Sequence, residues 1–368
     1  MHYRLGFYKR IASDNKFDFT LFYGKEDKGT KLVNADISAT DIKNKKLWGF
    51  RIPFSTNNGK GTISISPFLF FELIYLSPQI VFSEGSSSII NSSLAFIYAK
   101  TFKKKFIWWS LGKLKNRKYT GLRKLINRWE KLIENNCDAI FTYSNQGKEY
   151  FLSRGVQKEK IFVGVNVLDT NEKLFEMQSF KNHKENWRYP NNFNLCFIGS
   201  ILKEKNIELL IDALEIFNKK YFQKAKLHII GDGVHLTKLN EYIKEKNLKP
   251  SVIFHGRINR GANVVLKQCQ VMVLPGLGGL SICEGMLNSL PIITATADGT
   301  ELDLVDRSNG FVIPNLTREV LFEKIEYLYL NPGIRTDMGK KSYKKITTVY
   351  SFDNYYEIFN EAVNFVIE

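Results

Sequence analysis

Cysteine is scarce in this chain. The four residues, Cys137, Cys196, Cys269 and Cys283, form no C-x-x-C pair. That excludes a disulfide framework and reads them as small buried hydrophobes of a reducing compartment. Long apolar runs are missing too. The best candidate, Pro67 to Phe82, is broken by Glu72 and Pro78 and falls short of the roughly 18 residues a membrane-spanning helix requires. The N-terminus MHYRLGFYKR has no apolar core of a signal peptide. These absences point to a soluble or peripheral protein on the cytoplasmic side. Acidic residues do not cluster in a D-x-D form, so no metal constellation is apparent. There is no internal repeat, no low-complexity segment and no nucleic-acid-binding motif, which leaves a nucleic-acid role resting on charge alone.

Basic residues are in excess: 53 Lys and Arg against 37 Asp and Glu, a formal net charge of +16. Such a balance favours polyanions, among them phosphorylated substrates and an anionic membrane leaflet. The excess is concentrated in the first half, in Lys103–Lys105 and then Lys113, Lys115, Arg117, Lys118, Arg123, Lys124 and Arg128. Trp108 and Trp109 lie between the two runs. Interleaved aromatic and basic residues suit a membrane interface, while a solvated helix face accounts for any single charge run.

With 44% hydrophobic and 24% charged residues the chain is globular, and its 368 residues fit two domains. Apolar strands alternate with amphipathic helices, which predicts parallel sheets. In the first half the strands are Ile80–Ser83, Lys105–Trp109, Ala139–Thr142 and Ile161–Val165. The helices between them are Ser88–Phe102, Leu122–Asn135 and Gln146–Arg154, the last closed by Gly155. The second half repeats the alternation from Leu195 to Ile313. The polar stretch NHKENWRYPNN falls between the halves. The expected division is a first domain over 1–172, a linker over 173–192, a second domain over 193–350 and a C-terminal helix over 351–368 packing back on the first domain. The expected fold is α/β, two Rossmann-like doubly wound domains facing a cleft, with ligands at the strand C-termini.

Three turns in the second half carry the chemistry. LPGLGGLSICEGMLNSLPIITAT, Leu274 to Thr296, reads as a strand end, a glycine-rich turn, a short helix and another strand. Gly276, Gly278 and Gly279 let backbone approach a ligand, and a helix starting near Leu280 or Ser281 aims its N–H groups and dipole at that turn. Glu284, one helical turn in, is placed to accept from sugar hydroxyls. After the first strand, Gly199 and Ser200 open a turn to Lys205, which begins a helix and offers a point charge for phosphate. The third turn is Gly231-Asp232-Gly233, suited to a flat base packing on backbone.

FIGSILKEKNIELLIDAL, KLHIIGDG, VIFHGRI and VMVLPGLGGLSICEGMLNSLPIIT follow one another in this order, after CDAIFTYSNQGKEYFLSRGVQKEKIFVGVNVLD. Together they resemble the retaining glycosyltransferases of family 4, which have the two-domain GT-B fold. The resemblance implies that Lys205 binds the donor diphosphate and Glu284 the nucleotide ribose. It puts the backbone at Gly278, Gly279 and Leu280 on the phosphates and Arg257 near the base. Gly199, Ser200, Gly231 and Gly233 complete the donor site. Glu84, in FSEGSSS, looks into the cleft from the acceptor side, where it is a candidate catalytic contact or a solvated carboxylate. The implied function is transfer of a hexose, with retention and without metal or other cofactor, from a UDP- or GDP-sugar to a glycan or lipid-linked acceptor. Cell-surface polysaccharide synthesis at the inner face of the plasma membrane is the expected setting. Three positions depart from the family's pattern. Ser200 replaces an Arg, Gly276 stands at the first Glu of E-x7-E, and Leu111 replaces an active-site His. They motivate a second expectation, a degenerate nucleotide-binding member of a glycan-assembly complex. A sugar-nucleotide epimerase of the same fold is a further alternative. The sequence also begins inside the expected first helix, HYRLGFYKRI, so a first strand is expected to be missing.

Overall fold

The computed structural model describes residues 4–24, 37, 40–56, 59–85, 88–112, 121–180 and 189–368. They divide into two compact units, Met1–Val165 with Asp353–Glu368, and Asn166–Phe352.

The first unit is built on four parallel strands in sequential order, Ile80–Glu84, Lys105–Trp109, Ala139–Thr142 and Ile161–Val163. The middle strands KFIWW and AIFT are apolar on both faces, as strands covered on both sides must be. Helix Ile89–Thr101 packs on the first two of these strands. On the other side Phe7 forms a close aromatic cluster with Phe82, Trp109, Tyr355 and Phe359, at 5.1–6.4 Å between ring centroids. Two members of that cluster come from the C-terminal helix Phe352–Ile367, so this helix completes the first unit's core.

Three features of this unit differ from the sequence reading. Trp108 and Trp109 are buried (0% and 3% exposed) and belong to the sheet core. They cannot form a membrane interface, because a central strand turns both of its faces inward. Of the two basic runs around them, residues 113–120 lie outside the described residues. Second, an antiparallel hairpin, Phe50–Thr56 with Gly59–Ile65, was not anticipated. Third, a short parallel pair joins Thr20–Tyr23 to Lys43–Lys46.

The second unit is a six-stranded all-parallel sheet. Its spatial order is Val252–Gly256, Ala225–Ile230, Phe193–Ile198, Val271–Leu274, Ile292–Ala295, Gly310–Ile313. The chain starts in the middle, winds outward to one edge, then returns to wind outward to the other. The direction reverses between Phe193–Ile198 and Val271–Leu274, and such a switch point opens a crevice at the strand C-termini. The unit starts earlier than the sequence suggested. Residues Thr170–Ser179, expected to lie largely in the linker, form a helix whose N-cap Asp169 accepts from the Glu172 N–H at 2.9 Å. Its polar sequence TNEKLFEMQS hid it from a reading based on apolar spacing. Of the expected linker, residues 181–188 lie outside the described residues.

Inside this sheet His228 is buried between strands. Its Nε2 meets Asn194 Oδ1 at 3.2 Å and its Nδ1 meets His255 Nε2 at 3.0 Å. The Asn194 amide N already donates to the Tyr189 and Asn192 carbonyls, so its oxygen accepts and His228 carries its proton on Nε2. Burial, then His255 and Lys226, push the His228 pKa down to about 3. A depressed histidine contributes stability above the unfolded-state pKa of about 6.5, and that contribution is lost as pH falls from there toward about 3. Between pH 7 and 5 the loss should be about 2 kcal/mol for this one site. Denaturant unfolding of the second unit at both pH values, beside His228→Gln, checks it. The variant should lose correspondingly less.

Candidate functional site

The turns singled out in the sequence converge at the switch point. The Gly199 and Gly231 turns end neighbouring strands and bond to each other's chains. Gly199 N–H donates to the Ile230 carbonyl at 3.0 Å and Ile201 N–H to the Asp232 carbonyl at 2.9 Å. Gly231 has φ +148°, and a Cβ there would lie 1.8 Å from the Gly199 carbonyl oxygen. Only glycine satisfies both conditions. Gly233 is in the same position against the Ile201 carbonyl, at 2.2 Å. Gly231 N–H continues the chain of contacts to the Gly256 carbonyl at 2.8 Å, next to Arg257, which is exposed and donates from Nε to Asn259. On the other side of the switch point, a Cβ built on Gly199 would lie 3.4 Å from Ser281 Oγ, so Gly199 and the start of the Glu284 helix are neighbours.

Lys205 does not begin a helix. It ends a single 3-10 turn, Lys203–Lys205, and Asn206, in the left-handed region at φ 50°, separates that turn from helix Ile207–Lys220. The turn lies on the glycine-rich loop. The Lys205 ammonium donates to the Leu277 carbonyl and the Asn206 amide to the Pro275 carbonyl at 3.5 Å. A Cβ on Gly276 would come within 2.3 Å of the Glu204 carbonyl oxygen and 2.7 Å of Lys205 Cα. The loop and the turn are therefore in backbone contact at the position where the related pattern carries glutamate. The departure at Gly276 has a steric reason: no side chain fits.

Beyond Gly276 the loop opens. Gly279, at φ +56°, has nothing within 4 Å of its Cβ position, and Gly278 meets the side chains of Ile282 and Leu274, at 2.9–3.5 Å. Leu280 caps helix Ser281–Leu287, and Glu284 is its fourth residue. The Glu284 carboxylate is not isolated. It pairs with Lys173 at 3.0 Å, Lys173 also pairs with Glu176 at 3.3 Å, and Glu176 accepts from the Gly261 N–H at 2.6 Å. Burial lowers the Lys173 pKa, but Glu284 and Glu176 outweigh it and hold the ammonium above the ordinary lysine value. Lys173 is the residue that sequence reasoning missed, because its helix was read as linker. A second is Glu301. Its buried carboxylate accepts from the N–H groups of Ala297, Asp298 and Gly299 at 2.8–3.3 Å and shapes the loop after the next strand. Burial raises its pKa in spite of those bonds.

Glu284 has two acceptor oxygens, and Lys173 engages one. The other can take a ligand hydroxyl while the ammonium fixes the rotamer. Lys173→Met should then weaken the binding of a ligand that bonds Glu284 about three- to tenfold, the cost of ordering one side chain. Isothermal titration of the wild type and the variant checks it.

Glu84 belongs to the first unit. Its carboxylate pairs with Arg4 at 2.9 Å, and the Arg4 guanidinium in turn lies 3.9 Å over the Trp109 ring. Leu111, where the related pattern has histidine, follows the buried Ser110 at the end of the Lys105–Trp109 strand. The four cysteines are buried and unpaired. Among the described residues no group of three or more His, Cys, Asp or Glu could hold a metal ion, and no helix is long and apolar enough to cross a membrane.

Residues 178–345 match the family model described as glycosyl transferases group 1. The chain is 25% identical over 315 residues to an uncharacterized glycosyltransferase of Methanocaldococcus jannaschii, covering 80% of this chain and 78% of the relative. It is 24% identical over 241 residues to the capsular polysaccharide biosynthesis glycosyltransferase CapM of Staphylococcus aureus. That match spans 60% of each protein, less than two thirds of the relative's length. Among solved structures, Anabaena HepE in complex with UDP superposes with a TM-score of 0.70 at 15% identity, covering 89% of this chain and 88% of that one. The fold is thus α/β of the GT-B type, with two Rossmann-like units.

Proposed function

Because the chain belongs, over residues 178–345, to the glycosyl transferases group 1 family, we propose that it moves a hexose from a nucleotide-sugar to a glycan or lipid-linked acceptor of a cell-surface polysaccharide. The observation that carries this reading is the convergence of the Gly199, Gly231 and Gly276–Leu280 turns with Lys205 and Glu284 at one switch point. A flat base fits the exposed backbone around Gly231 and Gly233, beside Arg257. The Glu284 carboxylate suits ribose hydroxyls, and the open backbone at Gly278, Gly279 and Leu280 suits phosphate. UDP is the favoured nucleotide, since the HepE structure holds it, and the CapM likeness supports a polysaccharide acceptor.

Transfer proceeds with retention and without a metal in this reading. The bond from the anomeric carbon to the diphosphate breaks as the acceptor hydroxyl bonds on the same face. The leaving diphosphate oxygen takes the hydroxyl proton. Lys205 stabilises the charge that builds on the diphosphate, and the turns hold the reactants in place.

The test is incubation with UDP- and GDP-sugars and candidate acceptors, reading nucleotide release and the product's anomeric configuration by NMR. Retained configuration, with rates unchanged by a chelator, is the expected result. Inverted configuration or chelator-sensitive rates would sink the mechanism. The Gly276 departure favours a second reading, a nucleotide-binding subunit without catalysis, and nucleotide binding with no turnover would establish that instead.

A further inference from the structure

An apolar surface lies in the first unit. Helix Leu69–Leu76 buries Leu69 and Leu73. Its opposite face should be polar by the usual pattern of a surface helix. It carries instead Phe71 (65% exposed), Ile74 and Tyr75 (87% exposed), with Phe68 just before it. The patch continues beyond the helix. The Trp48 ring, 65% exposed, lies 5.6 Å from Phe68 and 6.4 Å from Phe50. Phe50 and Ile52 share one face of the hairpin with their cross-strand partners Ile65 and Ile63, so that face is apolar across both strands. Singly exposed apolar residues are ordinary; a contiguous set rich in aromatics marks an interaction surface.

The rim identifies the occupant. The strand Lys43–Lys46 is exposed along its whole length and carries three lysines. Lys43 is paired with Asp18 at 2.5 Å, and Lys45 is paired with Glu72 and lies 5.8 Å over the Tyr75 ring. Lys103 and Lys104 follow directly on Phe102, whose ring is 6.4 Å from Phe70. A second copy of the chain would set this lysine rim against itself, and like charges across an interface are costly. An anionic bilayer supplies both complements. Its phosphates face the lysines, and its interfacial zone takes aromatic rings with aliphatic neighbours.

We infer that Trp48, Phe68, Phe71 and Tyr75, rimmed by Lys43–Lys46 and Lys103–Lys104, form a docking face for an anionic lipid surface. The face is independent of sugar transfer, so its test does not stand or fall with the proposed reaction. The full chain is sedimented with phosphatidylcholine vesicles, with and without phosphatidylglycerol. Binding should require the anionic lipid and weaken with salt. Trp48 emission should shift to the blue and be quenched by brominated acyl chains, and Trp48→Phe should remove that change. Phe71→Ser with Tyr75→Ser alters only exposed side chains and should cut the bound fraction about tenfold at an unchanged melting temperature. Lys103→Ser with Lys104→Ser should weaken binding to anionic vesicles alone. Three results would overturn the inference: no sedimentation with anionic vesicles at low salt; equal binding by the aromatic variant; or a wild-type dimer in solution that the aromatic variant reduces to monomer.

Discussion

Gly276→Glu restores the acid of the related E-x7-E pattern and should nonetheless abolish useful transfer. A Cβ at this position meets the Glu204 carbonyl at 2.3 Å and Lys205 Cα at 2.7 Å. Both are backbone atoms, so no rotamer change relieves the contact. Either the glycine-rich loop or the Lys203–Lys205 turn must move away, and overpacking of this kind costs about 1–3 kcal/mol or more. The functional loss should exceed the loss of stability. The same movement shifts Lys205 and the loop that leads to Gly278 and Gly279, and a displacement near 1 Å at a reacting centre costs about 100-fold in rate. The check is kcat/KM with a UDP-sugar beside the melting temperature. Equal or faster transfer by the variant would show that the loop reopens freely and that Gly276 is no steric requirement.

Lys205→Ala should slow transfer about 10²- to 10³-fold, the range found when one preorganised donor to a developing negative charge is removed. The ammonium also holds the Leu277 carbonyl, so two effects need separating. If Lys205 serves only to pin the loop, the variant melts lower without ligand but keeps its kcat. If it neutralises the diphosphate, kcat falls and the stabilisation by added UDP falls with it. Glu284→Ala, by contrast, should weaken UDP binding, because that carboxylate is assigned to the ribose and not to the charge that develops. Thermal shifts with UDP, set beside initial rates for the three proteins, distinguish these cases.

The alternation of apolar strands and amphipathic helices was legible in the chain because each strand of a parallel sheet is a continuous run such as VMVL or AIFT, and runs of this kind are local. The glycines of the three turns were legible for the same reason, since a strand end followed by Gly and a helix is a short-range signal. Helix Thr170–Ser179 was not, because its residues TNEKLFEMQS carry little apolar periodicity and it was read as linker. Lys173 went unseen with it. Its contact with Glu284 joins positions 111 residues apart, and nothing in either neighbourhood announces the other.

The same division of information explains the tryptophans. A run of lysines around Trp108 and Trp109 has the composition of a membrane interface, and composition carries no inside or outside. The sheet decides that, by covering both faces of the Lys105–Trp109 strand and burying both rings. By itself the sequence determined the elements, the turns between them and the excess of positive charge, all properties of residues close along the chain. The tertiary structure alone decided that Gly276 can hold no side chain, that Lys173 holds Glu284, and that Trp48, Phe71 and Tyr75 stand exposed. Each of these depends on which distant segments pack together, and packing is a property of the folded chain and not of any stretch of it.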